Sequence, residues 1–251
     1  MSTAKALKGI TLEELTSLPP RNYRIQTPHL IIRNLQDGDA DGYYAMLSDR
    51  RNFTHDPIDT TLTQDEIPQR IQKLNSMASL GANGYVGFEN RVSGKLVGHG
   101  GYNTFQMVDI REFFGAPDLP GMQKVMTDIG IMIDHRHWRK GYAREAFCAL
   151  VEYSIQNLGC EVFRCESAQD NVPWHRLMDS VGMTAAVTDS LASYTANLRV
   201  SAWKWDVNFW YSAKSWMQDC GTWPLMIDDR PAPDLPAPLA EPPARYRKAT
   251  Y

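Results

Sequence analysis

The segment Thr127–Ala146 constrains the fold more than any other part of the chain. Its first half, Thr127-Asp-Ile-Gly-Ile-Met-Ile133, places β-branched side chains at Ile129, Ile131 and Ile133, as a buried strand requires. Its second half turns at Gly141 and opens a helix at Tyr142. A glycine at that turn lets backbone N–H groups approach a ligand with no Cβ in the way. The first helical turn then offers unpaired amides and the positive end of its dipole. Arg139, Lys140 and Arg144 add mobile positive charge around the same point, while Glu145 is free to turn away. Strand, glycine turn and helix N-terminus in this order make a phosphate cradle, and the surrounding charge suits a pyrophosphate.

The common phosphate motifs do not fit: no G-x-x-x-x-G-K-[ST] is present, and no G-x-G-x-x-G follows a strand. Trp138-Arg139-Lys140-Gly141-Tyr142-Ala143 instead resembles the Q/R-x-x-G-x-G/A loop of the GNAT superfamily of acyl-CoA-dependent N-acetyltransferases. Within it, the chain resembles the subgroup typified by ribosomal-protein-alanine acetyltransferases. Trp138 replaces the usual Gln or Arg, a departure compatible with a grip made mainly by backbone amides. Three more segments follow in the right order. Thr27-Pro-His-Leu-Ile-Ile-Arg33 with Asp39-Ala40 is similar to the subgroup's first strand and helix. Asn171 through Gly182-Met183 is similar to its N-x-x-S-x-r-v-l-x-x-x-G-F segment, with Trp174 for Ser and Met183 for Phe. Asp206-Val-Asn-Phe-Trp-Tyr211-Ser212 and Trp216 resemble its closing strand and the Trp after it.

The resemblance spans residues 23–217 and implies a single α/β (α+β) domain, a mixed central sheet with helices on both faces. It further implies acetyl-CoA as co-substrate, with no metal. Backbone groups of Ile131, Met132 and Ile133 would hold the pantetheine arm, and the amides of Arg139, Lys140, Gly141, Tyr142, Ala143 and Arg144 the diphosphate. Asn171 matches an Asn that commonly contacts the cofactor. The family attacks directly within a ternary complex, so the missing Ser/His/Asp or Cys/His pattern is no objection. Many members place a Tyr four residues before the glycine of the G-F pair, to protonate the departing thiolate. Here that position is Met178. The loss is bearable, since a thiol of pKa about 8.5 leaves fairly well even as thiolate, and a general acid is worth about 10²–10⁴-fold. Tyr194 and Tyr211 are the substitutes to consider.

Asp128 occupies the acidic position of the subgroup's "a-e-i-G-Y" strand, just before the acyl site. It reads either as the general base, directly or through water, or as a strand-end residue paired with an arginine. His99, in Gly98-His-Gly100 on the neighbouring strand, has an unperturbed pKa of about 6.5 that suits proton transfer. A lone strand histidine serves equally well as a hydrogen-bonded packing residue. The cluster Trp203, Trp205, Phe209, Trp210 and Trp216 reads as core, because Trp203-Lys-Trp205-Asp-Val207 alternates apolar and charged positions. His135, Arg136 and His137 lack a further ligand at metal spacing and read as a loop ahead of the cradle.

Along the chain, Thr11-Leu-Glu-Glu14 signals a short helix ending at Leu18 before Pro19-Pro20, within an N-terminal extension of residues 1–22. Thr63-Gln-Asp-Glu66 repeats the signal ahead of Ile67, Ile71, Leu74, Met77 and Leu80, whose spacing makes an amphipathic helix. Tyr85–Asn90 and Leu96–Tyr102 read as a hairpin around Ser93-Gly94. The connection 103–126 is far longer than a hairpin needs and rich in aromatics, which favours a substrate lid over a packed insert. A helix over Glu145–Leu158, a strand over Glu161–Glu166, a helix over Trp174–Ser180 and a strand over Trp203–Tyr211 complete the expectation. Residues 218–251 form a Pro-rich tail that cannot build a core from Pro224 onward.

Hydrophobic content of 43%, charged content of 22% and a net charge of −3 are ordinary for a globular protein and speak against nucleic acid as a main partner. Cys148, Cys160, Cys165 and Cys220 show no C-x-x-C spacing and read as reduced thiols. No run of about 18 apolar residues is present and no signal-type segment opens the chain, so the expectation is a cytoplasmic protein, monomer or homodimer, that avoids membranes. The leading function is transfer of an acetyl group to an amine, a small molecule in preference to a peptide N-terminus. The alternatives are another acyl-CoA reaction, such as O-acylation or acyl-thioester conversion, and a non-catalytic acyl-CoA-binding or interaction protein.

Overall fold

The computed structural model describes residues 22–55, 61–195 and 197–224. The expected helix before Pro19 and the Pro-rich stretch from 225 lie outside the described residues. Among the described residues, eight strands make one sheet in the order β1-β2-β3-β4-β5-β6-β8-β7. In chain order, β1 (Arg24–Gln26) and β2 (Leu30–Arg33) precede helices α1 (Ala40–Leu47) and α2 (Ile67–Ser79). Then come β3 (Gly84–Asn90), β4 (Leu96–Asp109), a short α3 (Ile110–Phe114), β5 (Gln123–Ile133) and α4 (Tyr142–Leu158). The chain closes with β6 (Val162–Ala168), α5 (Val172–Ser180), β7 (Val187–Leu191), β8 (Arg199–Asp206) and α6 (Val207–Asp219). Neighbouring strands are antiparallel except β5 and β6, which run parallel and are joined through α4.

Strand alternation sends residues to two faces. On one, Val86, Phe88, Tyr102, Ile129, Phe163, Cys165, Trp203 and Trp205 pack against Ala146–Val151 of α4 and against Trp210, Ala213 and Met217 of α6. Trp203 and Trp205 are almost wholly buried while Lys204 between them reaches the other face, so this part of the aromatic cluster is core. On the second face, Leu35, Leu96 and Met132 meet Tyr43, Met46, Ile67 and Ile71 of α1 and α2, and Ile110 and Phe113 of α3 cover Met126 and Val162.

Three expectations need correction. The closing strand stops at Asp206: its carboxylate accepts the Phe209 amide at 2.8 Å and caps a helix, whose buried Trp210, Ala213, Lys214 and Met217 repeat at helical spacing. The connection 103–126 is not a free loop. Thr104–Asp109 pairs with Gln123–Asp128, prolonging the β4–β5 ladder, and α3 sits at its tip with Lys204 over the Phe113 ring. Its aromatics therefore have packing partners, which a loose lid would not supply. Finally, packing continues past 217: Trp223 is buried against Trp210, and Lys214 lies over its ring.

Candidate functional site

The parallel pairing of β5 with β6 is short. Met126, Thr127 and Asp128 face Val162, Phe163 and Arg164, and there the register ends. Beyond it Ile129–Ile133 stay paired with β4, and Cys165–Ala168 stay paired with β8. Two strands that remain bonded to outer neighbours but part from each other open a wedge whose walls carry backbone groups turned toward the gap. Asp128 and Arg164 stand at its apex. Its open end lies at the carboxyl ends of both strands, where α4 and α5 begin, the usual place for ligands in parallel β–α units.

The cradle stands at that open end. Gly141 takes φ 83° and is the N-cap of α4, without a side-chain cap hydrogen bond. Open space surrounds the position where its Cβ would be. Arg139 also takes a positive φ, 62°, and a non-glycine residue held there stores strain of about 1–2 kcal/mol. Strained turns of this kind gather amides into an anion-binding concavity. Glu145 turns away as expected: its carboxylate accepts from Thr27 Oγ1, the His29 amide and His29 Nδ1 at 2.5, 2.7 and 2.8 Å. Tyr142 Oη accepts from Asn90 Nδ2, and Lys140 Nζ lies 3.3 Å from His137 Nδ1. Burial first, then Lys140, pushes the His137 imidazole below its usual range, so it adds no charge at neutral pH. Arg144 points elsewhere, to Ser180 Oγ and the Thr222 carbonyl. Trp138 donates its indole N–H to the Ile133 carbonyl at 2.6 Å, so of the three expected pantetheine-holding residues Ile133 already has its carbonyl engaged. Amides without a protein cap, a glycine approach and exposed Arg139 and Lys140 fit a diphosphate.

Asn171 caps α5 through the Trp174 amide and donates to Ser167 Oγ. Trp174 packs edge-on against Phe147, and Met178, at the position where the resemblance led one to look for Tyr, is fully buried. Tyr211 lies on α6 and not on a strand.

Asp128 is 6% exposed. Asn103 Nδ2 donates to its Oδ1 at 2.8 Å and Arg164 Nε to its Oδ2 at 2.7 Å. The arginine pairing foreseen as an alternative is thus real, yet each carboxylate oxygen keeps a lone pair. His99 faces Met132 across β4–β5, four residues past Asp128 or about 13 Å along the strand. It stacks on Tyr85 and meets Tyr43 edge-on, and its Nδ1 is buried with no partner. Burial, aided by Arg70, lowers its pKa to about 4. The structure therefore does not bring the two candidate bases together. A histidine whose folded pKa lies below its unfolded value of about 6.5 binds a proton more readily when unfolded, so stability falls as pH drops through that interval. His99→Gln should flatten this part of the curve by close to one proton, read from melts between pH 7 and 4.5. An unchanged slope would show that the imidazole does not titrate as placed.

Sequence reasoning missed four side chains near Asp128 and one segment. Arg164 lies 3.6 Å from Glu166, which accepts from the Ser193 amide and hydroxyl. Tyr85 and Asn103 complete the line across β3 to β6. The polar alternation Arg164, Glu166 within an apolar strand was the available signal. Residues Asp49–His55 cross the open end of the wedge: Asn52 Oδ1 accepts the His135 amide at 2.7 Å, and His55 Nδ1 lies 3.4 Å from Asp170. No local pattern announces that contact. Among the described residues there is no metal-ligand cluster and no helix long and apolar enough to cross a membrane.

Comparison with known proteins agrees with this geometry. The "Uncharacterized N-acetyltransferase YoaA" of Bacillus subtilis (strain 168) is 24% identical over 161 residues, covering 63% of this chain and 81% of that protein. Among solved structures, a GCN5-related N-acetyltransferase from Brucella melitensis matches with a TM-score of 0.58 at 16% identity, covering 80% of this chain and 86% of that one. RimL, a ribosomal L7/L12 alpha-N-protein acetyltransferase in complex with coenzyme A, matches with a TM-score of 0.55 at 12% identity, covering 75% and 99%. At these identities the structures speak for the fold alone. The profile described as the acetyltransferase (GNAT) domain matches residues 29–184, and the chain belongs to that family.

Proposed function

We propose that this protein is an acetyl-CoA-dependent N-acetyltransferase that acts by direct attack of an amine. The observation that carries the reading is the wedge between β5 and β6, with the Gly141 cradle at its open end and Asp128 at its apex. The RimL structure was solved with coenzyme A, and that likeness supports the same class of ligand here. In this reading, amides of the cradle hold the diphosphate, and the backbone groups of Ile131 with the Ile133 amide hold the pantetheine, whereas the Met132 carbonyl points at Gly98 and so belongs to the β4 ladder. The thioester then lies near Asp128. That carboxylate takes a proton from the acceptor's ammonium, directly or through water, while Arg164 Nε holds its Oδ2 in place. Thiolate leaves without a tyrosine at position 178. The RimL likeness alone would favour a peptide N-terminus, but Asp49–His55, held at His135 and Asp170 across the open end of the wedge, narrows the approach and favours a compact amine. It does not distinguish a relative of the ribosomal-protein-alanine subgroup from other members.

The test is calorimetric and kinetic. A ligand that binds only the folded chain stabilises it by RT ln(1 + [L]/Kd), about 2.7 kcal/mol at one hundred times Kd. CoA or acetyl-CoA should therefore raise Tm by several degrees, and thiol release should depend on an amine from a panel. No shift at millimolar cofactor would refute the cofactor reading, and binding with no amine-dependent release would refute the activity.

A further inference from the structure

Asn103 is the residue that β4 leaves out of its ladder. Tyr102 faces Ile129 and Thr104 faces Asp128, so the register shifts between them at the level where β5 parts from β6. A bulge re-aims the extra side chain. Here the Asn103 amide lies over Gly130, where a Cβ would come within 3.2 Å of Nδ2, so the glycine is what leaves it room. Tyr85 Oη donates to Asn103 Oδ1 at 2.5 Å, and Asn103 Nδ2 donates to Asp128 Oδ1 at 2.8 Å. The two ends of the amide are thereby told apart, because a donating hydroxyl calls for the carbonyl oxygen and a carboxylate calls for the NH₂. Burial, with Tyr43 and Asp128 adding to it, pushes the Tyr85 phenol up to about 12, so it stays a donor throughout the neutral range.

We propose that Asn103, aimed by the β4 bulge and oriented by Tyr85, is a positioning residue for the transfer: it pins Asp128 Oδ1 so that the free lone pairs of the carboxylate meet the acceptor's ammonium. The inference rests on Asp128 being the base. The ammonium gives one proton to the carboxylate, the nitrogen lone pair forms the new C–N bond, and the sulfur departs with the C–S electron pair. The nitrogen loses a second proton as the amide forms. One of the two protons ends on the thiolate and the other in solvent.

Asn103→Ala, Tyr85→Phe and Asp128→Asn, each in the full chain, are assayed with acetyl-CoA and the best amine of the panel. Asn103→Ala should lower kcat by about 10²-fold, the scale of a 1 Å misplacement, with KM for acetyl-CoA nearly unchanged. Its acidic limb should move to higher pH, because a carboxylate with one donor fewer holds its proton more tightly. Tyr85→Phe should move both in the same direction by less, and it supplies the test if Asn103→Ala does not fold. Adding Asn103→Ala to Asp128→Asn should cost little more, as residues acting through one group are non-additive. If Asp128→Asn loses turnover while Asn103→Ala leaves the limb in place, or costs as much again in the double variant, this inference alone is overturned. If Asp128→Asn retains turnover, the base reading falls and this inference with it.

Discussion

Gly141→Val should weaken binding of CoA by 100-fold or more while the protein stays folded. Gly141 holds φ 83° at the start of α4, and a residue with a Cβ pays about 1–2 kcal/mol for that backbone region. A β-branched side chain is the worst case. Open space surrounds the position where a Cβ would be, so valine displaces no packed atom. What it blocks is the approach of an anion to the amides, and a hydrogen bond to a charged group contributes about 1.5–3 kcal/mol. Two lost contacts of that kind account for the expected factor. Gly159 is the internal control. It caps the other end of α4 at φ 68°, also in open space, far from the wedge. Gly159→Val meets the same backbone strain and should leave titration calorimetry with CoA unchanged. Equal losses in the two variants would mean that strain, and not the cradle, sets the affinity; normal binding by folded Gly141→Val would remove the cradle from the account.

The strand, glycine turn and helix start of 127–146 were legible because they are local: a β-branched strand, a glycine with positive φ and a helix start lie within twenty residues of sequence. The core role of Trp203 and Trp205 was legible for the same reason, since strand alternation is written residue by residue. At Asp206 the resemblance to a closing strand overrode a helix signal that was present, an N-cap aspartate ahead of Trp210, Ala213 and Met217 at helical spacing. What else escaped was set by pairing at a distance. The 103–126 segment looked too long for a turn because its strand character depends on the opposite arm, Thr104–Asp109 against Gln123–Asp128. The bulge at Asn103 and the partners Tyr85 and Arg164 arise from register between strands, which period-2 patterning cannot supply. The acid at position 128 could be read from its own strand, but its pairing with Arg164 could only come from β6.

Asp128→Asn should lower kcat by about 10²–10⁴-fold at neutral pH with cofactor affinity retained, the loss typical of removing a general base. The substitution preserves size, and Asn can still receive a hydrogen bond from Arg164 through its oxygen. The half-buried guanidinium then loses its nearer carboxylate and keeps only Glu166 at 3.6 Å, so some loss of Tm is expected, and turnover must be normalised to folded protein. The pH profile separates chemistry from stability. With the carboxylate present, acceptor arriving as ammonium is deprotonated in the complex. Without it, only amine already neutral in solution reacts, and primary amines have pKa values of about 8 to 10.4. The variant's rate should therefore climb tenfold per pH unit up to the acceptor's own pKa, whereas the wild-type rate levels off earlier, and the two should converge at high pH. A structural role alone predicts a parallel offset at all pH values. Near-normal kcat with an unaltered acidic limb would instead exclude Asp128 and leave His99 as the base to test. Because burial holds that imidazole's pKa to about 4, His99 would have to produce a limb well below neutrality, and His99→Gln would have to abolish it.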